Sequence, residues 1–174
     1  MTVAIWLVLL ACTIAVVTDV TARRIPNVLT GGLALVAFGL NALHGWQSLA
    51  VSAGACVAVL ALGMFAFSLG WLGGGDVKLM AAAGAALSFP DVVPFLIYTA
   101  IAGGVVAVGY SLVTGRLLSV LGSVALVLRP LAYKGTAAVA PRQPVMLPYG
   151  IAIALGALAV ALSHTAAPFL RLPL

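Results

Sequence analysis

The sequence predicts an all-α, polytopic membrane protein of about six spanning helices with both termini outside. Three observations predict it. Of 174 residues, 64% are hydrophobic and only 6% are charged, against about 25% charged in a typical soluble domain. The apolar residues fall into runs close to the roughly 20 residues that a helix needs to cross a bilayer. The basic residues gather in alternate connections, as the positive-inside rule requires. A soluble fold of this length could not hide so much apolar surface, whereas lipid accepts it on the outside.

Each span follows from the chain in order. Residues 3–20 form the first, with Asp19 at its inner end. No basic residue precedes its apolar run, so it reads as a retained span and not as a cleaved signal. Residues 28–43 form a shorter second span, followed by the turn-like His44-Gly45-Trp46-Gln47. Residues 49–69 are the clearest, and Gly73-Gly74-Gly75 then interrupts the chain before Asp76. The fourth span, 77–89, is short and rich in alanine and glycine; small side chains permit close helix packing, which places it inside the bundle. Pro90-Asp91 makes a turn, 92–113 is the fifth span and 145–163 the sixth.

The connection 114–144 holds Arg116, Arg129, Lys134 and Arg142. Its apolar middle, 117–128, is too short to cross. It reads as an interfacial helix anchored by its basic flanks, with a buried re-entrant piece as the alternative. No repeat or soluble segment interrupts the chain, so 1–174 is expected to be a single membrane-embedded domain.

With the amino terminus outside, the inner connections and their margins carry Arg23, Arg24, Lys78, Arg116, Arg129, Lys134 and Arg142, leaving only Arg171 outside. The net charge of +5 therefore reports topology; no basic stripe or aromatic platform points to nucleic acid. Cys12 and Cys56 sit inside apolar runs with no CxxC spacing, and read as buried small hydrophobes. No metal or cofactor is expected.

Chemistry is left to three aspartates, the chain having no glutamate. Asp19 and Asp76 share the inner membrane edge, while Asp91 falls in an outer turn. An ionisable group at membrane depth is costly unless paired or hydrated, and marks a functional site by default. Asp76 also fits a bland role, capping the helix that it begins. Asp19 resists one, because a carboxylate near a helix carboxyl end opposes the macrodipole. An ion pair to Arg23 would offset this by only about 0.3–0.5 kcal/mol. Two carboxylates held close share a proton: the charged one can activate water as a general base, and the protonated one can polarise a carbonyl. Gly73, Gly74 and Gly75 would let a peptide backbone approach closely. His44 and His164 lie on the outer side and read as interfacial residues.

Gly73-Gly74-Gly75-Asp76 reads as GxGD, the signature of intramembrane aspartyl proteases. The longer run through Val77-Lys78-Leu79, Asp19 followed by Arg23-Arg24-Ile25-Pro26-Asn27, and Pro148-Tyr149-Gly150 together resemble the type IV prepilin peptidase family. The resemblance implies removal of a short basic leader from prepilin-like proteins at the cytoplasmic face of the bacterial inner membrane. It assigns Asp19 and Asp76 as the catalytic pair. With no CxxC and a span at its start, the chain is similar to the short, peptidase-only form that serves tight-adherence pili, for which N-methyltransferase activity is not expected.

Supporting roles follow around that pair. Pro26 and Asn27 are expected to stop one helix and cap the next. Lys78 is expected either to stabilise a carboxylate or developing oxyanion, or to act as a snorkelling anchor. Arg24 serves with Arg23 as a motif residue or a topology signal. Pro148, Tyr149 and Gly150 shape a substrate channel or break a helix. The rival readings are a proton- or cation-coupled transporter subunit, against which stands the placement of both aspartates at one edge, and a non-catalytic pilus assembly factor. Besides the bilayer, the expected partner is the prepilin-like substrate; oligomeric state is not legible.

Overall fold

The computed structural model describes residues 2–22, 24–113 and 149–165, and every regular element among them is helical. In chain order these are α1 (Thr2–Ala22), α2 (Asn27–Leu43), α3 (Trp46–Ser68), α4 (Gly74–Leu87), α5 (Val92–Val113) and α6 (Tyr149–Thr165). Arg23, Pro148, Arg171 and the whole 114–144 connection, with its expected interfacial helix, lie outside the described residues. The chain divides into two compact units, residues 1–103 with 148–174, and 104–147; the features below belong to the first.

Three helices, α1, α3 and α5, are long and apolar enough to cross a membrane. α2 and α6 are apolar but only 17 residues each. α1 shows the inside-out pattern of a membrane helix. Val3, Trp6, Leu10, Ile14, Val17 and Val20 are exposed, whereas Ile5, Val8, Cys12 and Ala15 are buried on the other side. A helix apolar on both faces is stable only where its outer face meets lipid or protein.

α4 departs most from the sequence reading. It was expected over 77–89, yet it starts at Gly74 within the glycine run and stops at Leu87. Its 14 residues reach about 21 Å at 1.5 Å per residue, short of the roughly 30 Å hydrocarbon core. Every residue from Leu79 to Leu87 is buried, because α1, α2, α3 and α6 all pack against it. Alanine and glycine make this possible. A Cβ added at Gly84 would come within 2.8 Å of a Val59 methyl, and one at Gly63 within 2.8 Å of a Val77 methyl.

A helix that ends inside a bundle leaves carbonyls without intrahelical donors, and lipid offers none. Here Ala85 O accepts from Ser52 Oγ at 2.7 Å, Ser88 Oγ at 3.1 Å and Asn41 Nδ2 at 3.5 Å. Ser88 then turns the chain at φ 59°, and α5 begins.

The turn between α4 and α5, expected on the outer side, holds a second departure. Asp91 is not a free turn residue: it is 8% exposed, and its Oδ1 lies 3.1 Å from His164 Nε2 in the last turn of α6. His164, expected to be merely interfacial, thus ties α6 to the α4–α5 turn. His44 does fit a local role, its Nδ1 meeting Leu40 O at 2.7 Å. The expected turn at 44–47 is shorter, since Trp46 already starts α3.

α5 and α6 meet through Gly156. A Cβ there would strike the Thr99 hydroxyl and stand 2.9 Å from Thr99 N and 3.0 Å from its Cα. Backbone atoms cannot yield cheaply, so Gly156→Ala should destabilise by about 1–3 kcal/mol. Gly39→Ala, with nothing within 4 Å, should be neutral or stabilising, since alanine is the better helix former. Thermal unfolding of the two variants in detergent checks this; equal midpoints would count against the described α5–α6 contact.

Candidate active site

Asp76 is the third helical residue of α4, after Gly74 and Gly75, with Gly73 as N-cap. Its Oδ2 accepts the Gly73 N–H at 3.2 Å, which satisfies a donor that the helix start leaves open. Asp76 therefore does fulfil a capping role, with one carboxylate oxygen. A Cβ on Gly73 would lie 2.9 Å from that same oxygen, so the N-cap must be glycine for the carboxylate to sit as it does. Gly75 has a different reason. A Cβ there would stand 3.2 Å from Ile25 Cβ, and its absence lets the α1–α2 connection pack on the start of α4.

Asp19 lies in the last turn of α1, half-buried. Gly150, the second residue of α6, is packed on it: a Cβ at Gly150 would be 3.2 Å from Asp19 Oδ2 and 3.6 Å from Asp19 Cβ. The amino end of α6 carries the positive pole of that helix, and favours negative charge beside it. This offsets the unfavourable carboxyl end of α1. The sequence reading saw the opposition but sought its remedy in Arg23, which lies outside the described residues.

The two aspartates act on each other. Asp76 precedes the apolar stretch that begins at Val77. Burial pushes its carboxyl up from 3.8 to about 6, and the negative charge of Asp19 pushes the same way, against the Gly73 N–H. Tyr149, the first residue of α6, also lies within the electrostatic reach of Asp76, and its ring edge is packed at Gly103. Asp19, Asp76, Gly73, Tyr149 and Gly150 thus gather from α1, α4 and α6. A carboxyl that holds its proton more tightly than usual, with a second carboxyl near it, has the makings of an acid–base pair.

Three other residues are placed elsewhere. Lys78 meets neither carboxylate; its Nζ donates to Asn27 Oδ1 at 3.0 Å. Two positions along an α-helix are separated by about 200°, so Lys78 and Asp76 leave α4 on opposite faces. Asn27 was expected to cap α2, but it is the first helical residue. The N-cap is Pro26, with no side-chain bond; its carbonyl accepts the N–H groups of Leu29 and Thr30 at 3.0 and 3.4 Å. Arg24 is exposed, and no ion pair to it occurs among the described residues.

Comparison with known proteins bears on this geometry. No curated protein and no solved structure matches the chain significantly. The profile of the type IV leader peptidase family matches residues 6–108, more than half of the chain. That region holds Asp19, the glycine run and Asp76, while Tyr149 and Gly150 lie beyond it. The chain is thus a member of the type IV leader peptidase family.

Proposed function

We propose that this membrane peptidase is an aspartic endopeptidase whose catalytic pair is Asp19 and Asp76. Its substrates are prepilin-like proteins, from which it removes the short basic leader at the cytoplasmic face of the bacterial inner membrane. The observation that carries this reading is that two carboxylates remote in sequence, Asp19 in the last turn of α1 and Asp76 in the first turn of α4, lie close enough for the charge of Asp19 to act on Asp76.

Their surroundings suggest the division of labour. Asp76, half-buried and facing a neighbouring negative charge, keeps a proton more readily than an ordinary carboxyl, and its protonated form is the acid of the pair. Asp19 sits at the amino end of α6, where a negative charge is favoured. Asp19 then takes a proton from water as the water oxygen attacks the scissile carbonyl carbon. Asp76 gives its proton to the carbonyl oxygen, forming a neutral gem-diol. Collapse returns a proton from the diol to Asp76, while the proton held by Asp19 passes to the departing amine, so both carboxyls end as they began.

Gly150 forms the wall beside Asp19, and the exposed Gly73 and Gly74 leave the approach to Asp76 open to an extended backbone. The basic residues expected in the connections at this end of the bundle support a cytoplasmic orientation for it. No N-methyl transfer is assigned, since the chain lacks paired CxxC motifs.

Two experiments test the pair. Co-expression with a prepilin-like substrate should show that Asp19→Asn and Asp76→Asn each insert normally, yet lose about 10²–10⁴-fold in leader removal. Ordinary processing by either variant would sink the proposal. The second experiment reads stability in detergent against pH. The folded chain holds the Asp76 proton to about 6, whereas the unfolded chain releases it near 3.8. Stability is therefore greatest below about 4 and falls as pH rises through about 6. Asp76→Asn keeps an acceptor for Gly73 N–H but removes the buried charge. It should abolish that slope and gain on the order of 2 kcal/mol over wild type at pH 7.5. An unchanged slope would show that Asp76 is not the group described.

A further inference from the structure

On the face of α4 turned away from Asp76, α2, α3 and α4 enclose an open cleft of about 310 Å³. Gly31 and Ala34 of α2, Cys56 and Leu60 of α3, and the alanines of α4 form its walls. Lys78 and Asn27 stand at its inner end. From Asn27 to Ala34 the cleft runs about 10 Å along α2, from the loop end of the bundle toward its middle. The helix faces that flank it expose Leu35, Val36, Val57 and Leu62, an apolar rim suited to lipid. Nothing lies within 4 Å of a Cβ added at Gly31.

Charge selects the occupant. The cleft is lined by apolar and small neutral side chains, and among the described residues its only charged lining residue is Lys78. The Lys78 ammonium donates to the neutral Asn27 Oδ1, which keeps its charge uncompensated and directs the Asn27 Nδ2 donors elsewhere. A phosphate oxygen could accept from both groups, while an acyl chain attached to that phosphate filled the apolar walls. We propose that this cleft holds one acyl chain of an anionic phospholipid of the inner leaflet, with Lys78 Nζ and Asn27 Nδ2 binding its phosphate. The site is separate from the aspartate pair and does not depend on the peptidase reading.

The test uses the purified full chain with phosphatidylglycerol or phosphatidylcholine. Retained lipid is counted by native mass spectrometry, and the rate at which an apolar maleimide labels Cys56 is followed in parallel. Cys12 is buried, so labelling reports on the cleft. Wild type should retain phosphatidylglycerol about five-fold better than phosphatidylcholine, and phosphatidylglycerol should slow Cys56 labelling by a similar factor. Lys78→Gln should lose the preference between the two lipids. Gly31→Phe, which fills the cleft, should release both; Ala34→Leu replaces it if that variant shows no cooperative unfolding. Retention of phosphatidylglycerol at the wild-type level by a folded cleft-filling variant would overturn the proposal. So would an unchanged preference in Lys78→Gln. Cross-linking of Cys56 to the apolar segment of a prepilin-like substrate, with labelling indifferent to phosphatidylglycerol, would assign the cleft to a substrate helix instead.

Discussion

A helix too short to cross the bilayer, enclosed by the others, governs this architecture. α4 holds its place because alanine and glycine let side chains of its neighbours, such as Val59, press against its backbone. At its far end, Ser52, Ser88 and Asn41 answer the Ala85 carbonyl that neither the helix nor lipid could satisfy. At its near end, Gly73 and Asp76 satisfy the helix start. One consequence is that the carboxylate of Asp76 is set by the position of the most buried element in the bundle. It does not hang from a mobile loop. A side chain carried in this way has little freedom left to lose when it is engaged.

The same enclosure gives the two aspartates unequal surroundings. α1 delivers Asp19 at its carboxyl end, an unfavourable place for negative charge, until the amino end of α6 is packed beside it through Gly150. α4 delivers Asp76 at its own amino end, yet burial and the charge of Asp19 outweigh the help of the Gly73 N–H. Two chemically identical side chains thereby become distinguishable, and what separates them is the packing of α1, α4 and α6 around them. Lys78 and Asn27, on the opposite side of α4, belong to a different surface with its own charge and shape.

Much of this was legible in the sequence because membrane spans advertise themselves by length and hydropathy, and because Asp19 and Asp76 are nearly the only acids present. The alanine run from Ala81 to Ala86 announced the enclosed helix. What stayed hidden depended on contacts between distant segments. The start of α4 could not be read at Gly74, since glycines signal loops unless something such as Ile25 packs against them. Lys78 and Asn27 are 51 positions apart, and neither has a local pattern that names the other. Asp91 and His164 could have been suspected, being an acid and a histidine at the same expected end of two spans in a chain with few of either. The sequence nonetheless offered no spacing rule to join them. Tyr149 and Gly150 were noticed as a motif, but only packing shows that Gly150 is pressed on Asp19.

The pairing of Asp91 with His164 gives α4 an unusual arithmetic. Asp76 is engaged with Asp19 at one end of the rod, and Asp91 is engaged with His164 just past the other. Each residue inserted or deleted within the rod would turn one end against the other by about 100° and slide it by about 1.5 Å. Either the Asp19–Asp76 interaction or the Asp91–His164 latch would then be unhooked. The distance between these aspartates is consequently quantised by helix phase, and tolerance to insertions must reside in the connecting loops.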